Sequence, residues 1–165
     1  MPNIRHIRPC LWFDDQAEEA ANFYVSIFKN SKITQIARYS EAGFEVHGRP
    51  AGSVMTVAFE LDGHKFLALN GGPHFKFNEA ISLEVECETQ EEIDYFWEKL
   101  SQGGDPRAQV CGWLKDKYGL SWQVVPSGME EVFADHTSPK AKRTMTALLK
   151  MKKLNIAELR RAAEG

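Results

Sequence analysis

Cysteine is sparse in this chain. Cys10, Cys87 and Cys111 are an odd number with no CxxC spacing, which argues against a disulfide framework and against a zinc ribbon or finger. Long apolar runs are also missing. No stretch approaches the roughly 18 apolar residues needed to cross a bilayer, and residues 1–8 lack the apolar centre of a secretory signal. A cytoplasmic protein that does not enter the membrane is therefore expected. Neither sign of charge dominates: Lys and Arg number 20 against 23 Asp and Glu, a net charge of -3. Without a basic field there is no nucleic-acid partner to expect, and small molecules or other proteins are the favoured partners.

What is present is 165 residues, 43% hydrophobic and 26% charged, the composition of a globular protein of one domain or at most two small ones. A chain of this length buries roughly 70% of its unfolded surface and needs neither disulfide nor metal to hold a core.

Residues 11–28 align without a gap on residues 83–100, a displacement of 72 from position 11 to position 83. Leu11 matches Leu83, Phe13 matches Val85, Glu19 matches Glu91, Phe23 matches Tyr95, Tyr24 matches Phe96 and Phe28 matches Leu100. Each copy opens as an alternating strand and turns into a helix with apolar residues three and four apart. After the first helix, residues 33–39, 54–61 and 65–70 read as strands, the last two joined by the hairpin signal Asp62-Gly63. After the second, residues 107–114 and 121–126 read as strands, so the second copy looks about one strand shorter. The fold class expected is α+β, with tandem βαβββ units forming a curved mixed sheet and C-terminal helices.

The expected domain spans residues 1–136, with units at about 4–72 and 79–127, and a helical tail at 137–165. Ser138-Pro139 starts one tail helix, with Met145, Leu148 and Leu149 on a single face, and Asn155 with Glu158 starts a second.

Paired units of this type resemble the vicinal oxygen chelate superfamily of glyoxalase I, extradiol dioxygenases and bleomycin and fosfomycin resistance proteins. The segments at 18–24, 61–63, 69–73, 77–82 and 111–123 are similar to its PhnB-like branch, often described as the 3-demethylubiquinone-9 3-methyltransferase domain. The resemblance implies a cup that binds a small molecule and a homodimer. Metal-dependent members place His and Glu ligands on the first and last strand of each unit. In this chain those positions fall at Arg8 or Pro9, Leu67, about Ala80 and Gln123, none of them a metal ligand of the required kind. No metal and no other cofactor is expected, and a metal-dependent glyoxalase or dioxygenase is excluded by this reading. His6, His47, His64, His74 and His136 are scattered and do not replace the lost ligands.

The expected ligand-binding lining is polar groups among aromatics. Gln123 occupies an old ligand position, and Asn70, Ser82 and Glu84, with Arg8, are expected to surround it. Trp12, Trp113 and Trp122 supply flat surfaces, as do Tyr24, Phe59 and Phe66, and for any single one of these aromatics core packing is the favoured reading over ligand contact. Cys111, before Gly112 and near Lys115, reads as either an activated thiol or an inert one. The function expected is a metal-free small-molecule-binding protein or an enzyme of unassigned reaction. Two alternatives stand beside it: a quinone methyltransferase using S-adenosylmethionine, for which no glycine turn between strand and helix is present, and a protein-interaction module acting through the tail.

Overall fold

The structure is a computed structural model and describes residues 7–165; of the sequence readings above, that of His6 lies outside them. The chain divides into two compact units, one ending at Lys76 and the other running from Phe77 to Gly165.

The first unit contains β1 (Cys10–Phe13), α1 (Ala17–Ile27), β2 (Lys32–Arg38), the single turn α2 (Phe44–His47), β3 (Val54–Leu61) and β4 (His64–Asn70). The strands lie in the order β1-β4-β3-β2, with β1 parallel to β4 and the other pairs antiparallel. Alternation along β3 and β4 turns Val57, Phe59, Leu61, Phe66 and Ala68 to the buried face. Ala17, Ala20 and Ala21 keep α1 close to that face. Tyr24 thereby stacks over Phe59 at 6.3 Å, and Phe59 over Phe66 at 5.4 Å. Burial of each such side chain contributes about 1.5–3 kcal/mol.

The start of α1 has no cap of its own, since Gln16 makes no side-chain capping bond. Asn70, at the end of β4, fills that role: its Oδ1 accepts from the Ala17 N–H at 2.8 Å and its Nδ2 donates to the Val54 carbonyl at 3.1 Å. One amide thus joins helix, β3 and β4.

The second unit contains β5 (Ser82–Cys87), α3 (Gln90–Ser101), β6 (Trp113–Lys115), β7 (Ser121–Pro126), α4 (Met129–Phe133), α5 (Pro139–Leu148) and α6 (Ile156–Glu164). The strand order is β5-β7-β6, with β5 parallel to β7 and β6 antiparallel to it. A capping box between Thr89 and Glu92 starts α3. That helix buries Ile93 and Leu100 in the core that also holds Leu114, Trp122 and Val124.

One expectation needs correction. Residues 107–114 do not form one strand: Asp105 caps a 3-10 turn at Pro106–Ala108, and the Arg107 side chain folds back onto Asp105. Cys111 and Gly112 then adopt left-handed backbone, at φ 52° and 84°, so ladder pairing resumes only at Trp113. The second unit is βαββ, one strand shorter than the first as expected, and the strands form two mixed sheets of four and three. The two tail helices are present as expected, whereas α4 had no counterpart in the sequence reading.

The segment between α5 and α6 is tied to the left-handed pair. Cys111 and Gly112 donate their N–H groups to the carbonyls of Met151 and Lys152, both at 2.8 Å. The Gln90 amide donates to the Leu154 carbonyl and accepts from the Ile156 N–H. A Cβ on Gly112 would press on Leu154 and on the Val124 carbonyl, so this position requires glycine for space as well as for φ.

Asn70→Ala should remove the cap of α1 and one buried bond together, costing about 2 kcal/mol. Thermal denaturation should show the midpoint falling by roughly 4–8 °C; an unchanged midpoint would contradict the role given to this amide.

Candidate functional site

The polar candidates on the second unit converge on one face of its sheet. Register places Glu84, Gln123 and Trp113 side by side across β5, β7 and β6, and Ser82, Ser121 and Lys115 side by side in the neighbouring row. Alternation turns Trp122, Val124 and Leu114 to the opposite, buried face. Within the polar face, the Gln123 Nε2 donates to the Ser82 hydroxyl at 3.0 Å. Lys115 pairs with Glu79 from the segment before β5, and its ammonium, bonded to the carboxylate, holds Glu79 below the usual carboxylate range.

Glu84 is shifted the other way. Partial burial, with Glu86 on the same strand and Glu130 on α4 adding like charge, pushes its carboxyl above the usual range.

The remaining candidates lie elsewhere. Trp122 is 2% exposed, and its indole N–H donates to Asp116 Oδ2 at 2.8 Å, so it packs in the core. In the first unit, Asn70 shares the covered face with Phe66 and Ala68, and both ends of its amide are engaged as described. Trp12 faces the other side of β1, donates to the Gly72 carbonyl at 2.8 Å and meets Phe75 edge-on at 4.9 Å. A Cβ on Gly71 would overlap its indole, so glycine there is what lets the ring lie across the strand end. Tyr24, Phe59 and Phe66 are core. Arg8 is exposed ahead of β1.

Asp116 was missed as a key residue. Its buried carboxylate takes the indole N–H of Trp122 on one oxygen and the backbone N–H groups of Tyr118 and Leu120 on the other. An Asp three residues before a Gly in a strand connection is a recognisable turn former, but nothing in the sequence ties it to Trp122.

The cysteines differ by setting. Burial first, and Glu92 second, push the Cys87 thiol up to about 12, so it stays protonated and inert. Burial also raises Cys10, against the opposing charge of Arg8. Cys111, half-buried beside Trp113, borders the cleft along the outer edge of β6.

Of the positions that the family resemblance marks for metal ligands, Pro9 and Leu67 are neighbours in the first unit, while Gln123 lies in the second. Leu67 donates its N–H to the Pro9 carbonyl at 3.0 Å, and Gln123 stands beside Glu84. Pro9 and Leu67 offer no side-chain donor, Gln123 offers only a neutral amide, and no group of three or more His, Cys, Asp or Glu converges among the described residues. These residues do not fit a catalytic divalent ion. They fit a bound nucleotide-type methyl donor no better. The turn from β1 to α1 is Asp14-Asp15-Gln16, that from β5 to α3 is Glu88-Thr89, and Gly71-Gly72 runs into Pro73 with no helix after it.

Each unit begins strand then helix and closes with its last strand parallel to its first. Solved structures share that arrangement. A Pseudomonas aeruginosa protein superposes with TM-score 0.54 at 18% identity, covering 73% of this chain and 96% of its own. A fosfomycin resistance protein from Listeria monocytogenes, solved with Mn(II) and sulfate, superposes with TM-score 0.51 at 15% identity, covering 81% and 99%. The fold class is thus the α+β glyoxalase and bleomycin-resistance type. The sequence profile described as 3-demethylubiquinone-9 3-methyltransferase matches residues 5–125. A Bacillus cereus protein described as a putative 3-demethylubiquinone-9 3-methyltransferase, PhnB protein, is 40% identical, with TM-score 0.63 over 74% of this chain and 100% of its own. The chain belongs to this PhnB-like family. No curated protein matches it.

Because the Glu84 carboxyl binds its proton more tightly in the folded chain than in the unfolded one, its contribution to stability should fall as pH rises from the ordinary glutamate value through the raised one. Carbon-detected NMR should show Glu84 titrating above the ordinary glutamate range. Glu84→Gln should flatten the pH dependence of the thermal midpoint in that window; a Glu84 titration within the ordinary glutamate range would refute the assignment.

Proposed function

We propose that the chain binds a small organic molecule without a catalytic metal, and that the ligand rests on the polar face of the second unit's sheet. The Gln123 amide carries this reading. It stands at a former metal-ligand position, is oriented by Ser82, and lies between the Glu84 carboxyl and the Trp113 ring. An amide set between a carboxyl and an indole offers a donor, an acceptor and a flat apolar surface within one row, which suits a polar planar ligand better than it suits a metal.

A methyltransferase reaction draws support from the family description alone. A protein-interaction role has one observation in its favour: α5 packs through Ala141 and Thr144 and leaves Met145 39% and Leu149 63% exposed. The proposal also takes the protein to be a cytoplasmic homodimer, for which light scattering should give twice the chain mass.

A thermal-shift screen of metabolites should yield ligands that raise the midpoint by roughly 5–10 °C at a hundredfold excess over the dissociation constant. Gln123→Ala should shrink that shift while leaving the unliganded midpoint close to unchanged. An empty screen, or a variant that responds as the parent does, would overturn the reading. A stoichiometric divalent ion in the purified protein would overturn its metal-free part.

A further inference from the structure

We propose that the cleft along the outer edge of β6 is a binding site for an aromatic carboxylate. The proposal rests on the ligand-binding reading of the second unit's face and adds the chemical class of the ligand. The cleft is about 480 Å³, with Ser121, Lys115, Trp113, Val110 and Cys111 among its walls.

Ser121 points to a polar ligand atom. The residue is 1% exposed, yet its Oγ has no hydrogen-bond partner among the described residues. A buried hydroxyl has lost its hydration, and a ligand oxygen that reaches it restores the missing bond. Its neighbour Ser82 is already occupied by Gln123, so Ser121 is the open position of the row.

Lys115 sets the charge of that ligand atom. It lies directly opposite Ser121 on the antiparallel partner strand, where side chains on one face are about 5 Å apart at Cβ. Its present counter-ion is Glu79, whose side chain is 68% exposed against 25% for Lys115. A ligand carboxylate can therefore replace Glu79, which turns out to water, and leave the less exposed ammonium paired. A cationic ligand would have to settle beside that ammonium, at a Coulombic cost. With one carboxylate oxygen on Lys115 Nζ and the other accepting from Ser121 Oγ, the body of the ligand lies toward Trp113, two residues along the same strand face, and Val110, which is 52% exposed. A flat ring is the shape that an indole face and an apolar wall accept best.

The test uses the whole chain titrated with benzoate and, as the neutral isostere, benzamide, with binding followed by amide and indole NMR shifts. Benzoate should bind about tenfold more tightly than benzamide, the margin expected for one charge-assisted bond. Ser121→Ala should weaken benzoate about five- to tenfold while the thermal midpoint holds or rises, because the variant removes an unpartnered hydroxyl. Lys115→Gln should abolish the preference for benzoate over benzamide. Equal binding of the two probes, benzoate affinity untouched by Ser121→Ala, or no binding at tens of millimolar would each overturn the proposal. If metabolites of other chemistry protect the protein and respond to Gln123→Ala but not to Ser121→Ala, the aromatic-carboxylate proposal fails and the ligand-binding reading stands. If no metabolite of any class protects it, both fail.

Discussion

The second unit is organised around one buried carboxylate. Asp116 holds the indole of Trp122 with one oxygen and the turning backbone of the β6–β7 connection with the other. Trp122 is thereby committed to the core beside Val124 and Leu114. Strand alternation leaves its neighbours no choice: with Trp122 inward, Ser121 and Gln123 must face the other side, and register carries Ser82, Glu84, Trp113 and Lys115 with them. The polar face is thus a geometric consequence of a core contact. Removing the carboxylate would orphan three donors together, each bond to a charged acceptor contributing about 1.5–3 kcal/mol and not additively. Its energetic weight lies beneath the site, on the buried face.

The first unit solves the same packing problem with a neutral amide. Asn70 sits at the end of β4 on the covered face and caps α1, whose own entry residue makes no capping bond. The opposite side of that strand end holds Trp12 over Gly71, bonded to Gly72 and flanked by Phe75. Around it, Asp14 is held by Arg49, and the Tyr39 hydroxyl donates to the Asn70 carbonyl at 2.7 Å. Trp12, Asp14, Arg49, Tyr39 and Asn70 are thus each tied within the first unit.

Much of the fold was legible because it depends on periodicity. Apolar spacing of three and four located α1 and α3, alternation located β3, β4, β5 and β7, and the Ser138-Pro139 and Asn155 caps located the tail helices. The 107–114 segment misled because Val110, Trp113 and Leu114 read as strand residues, whereas Pro106 and the left-handed pair Cys111-Gly112 control the backbone. Where alternation was applied, as for Ser82 and Glu84, the sheet face was read as the structure has it. The face was misread where alternation was not applied: Asn70 has the parity of Phe66 and Ala68, and Trp122 the opposite parity from Gln123, so both belong to covered faces. Asp116, the unpartnered Ser121 and the bonds from Cys111 and Gly112 to the tail depend on contacts that no local pattern encodes. The family profile ends at Val125, before α4, so the tail that anchors the Cys111 bend lies beyond the family's shared segment.

The central claim is that β7 divides a closed face from a ligand-binding one, and the indole N–H signals of the chain's four tryptophans read both faces in one spectrum. On titration with any ligand that stabilises the protein, the Trp113 indole signal should move. The Trp122 signal, held by Asp116, should stay in place and exchange slowly with deuterium. Movement of Trp122 with Trp113 unaffected would contradict the account.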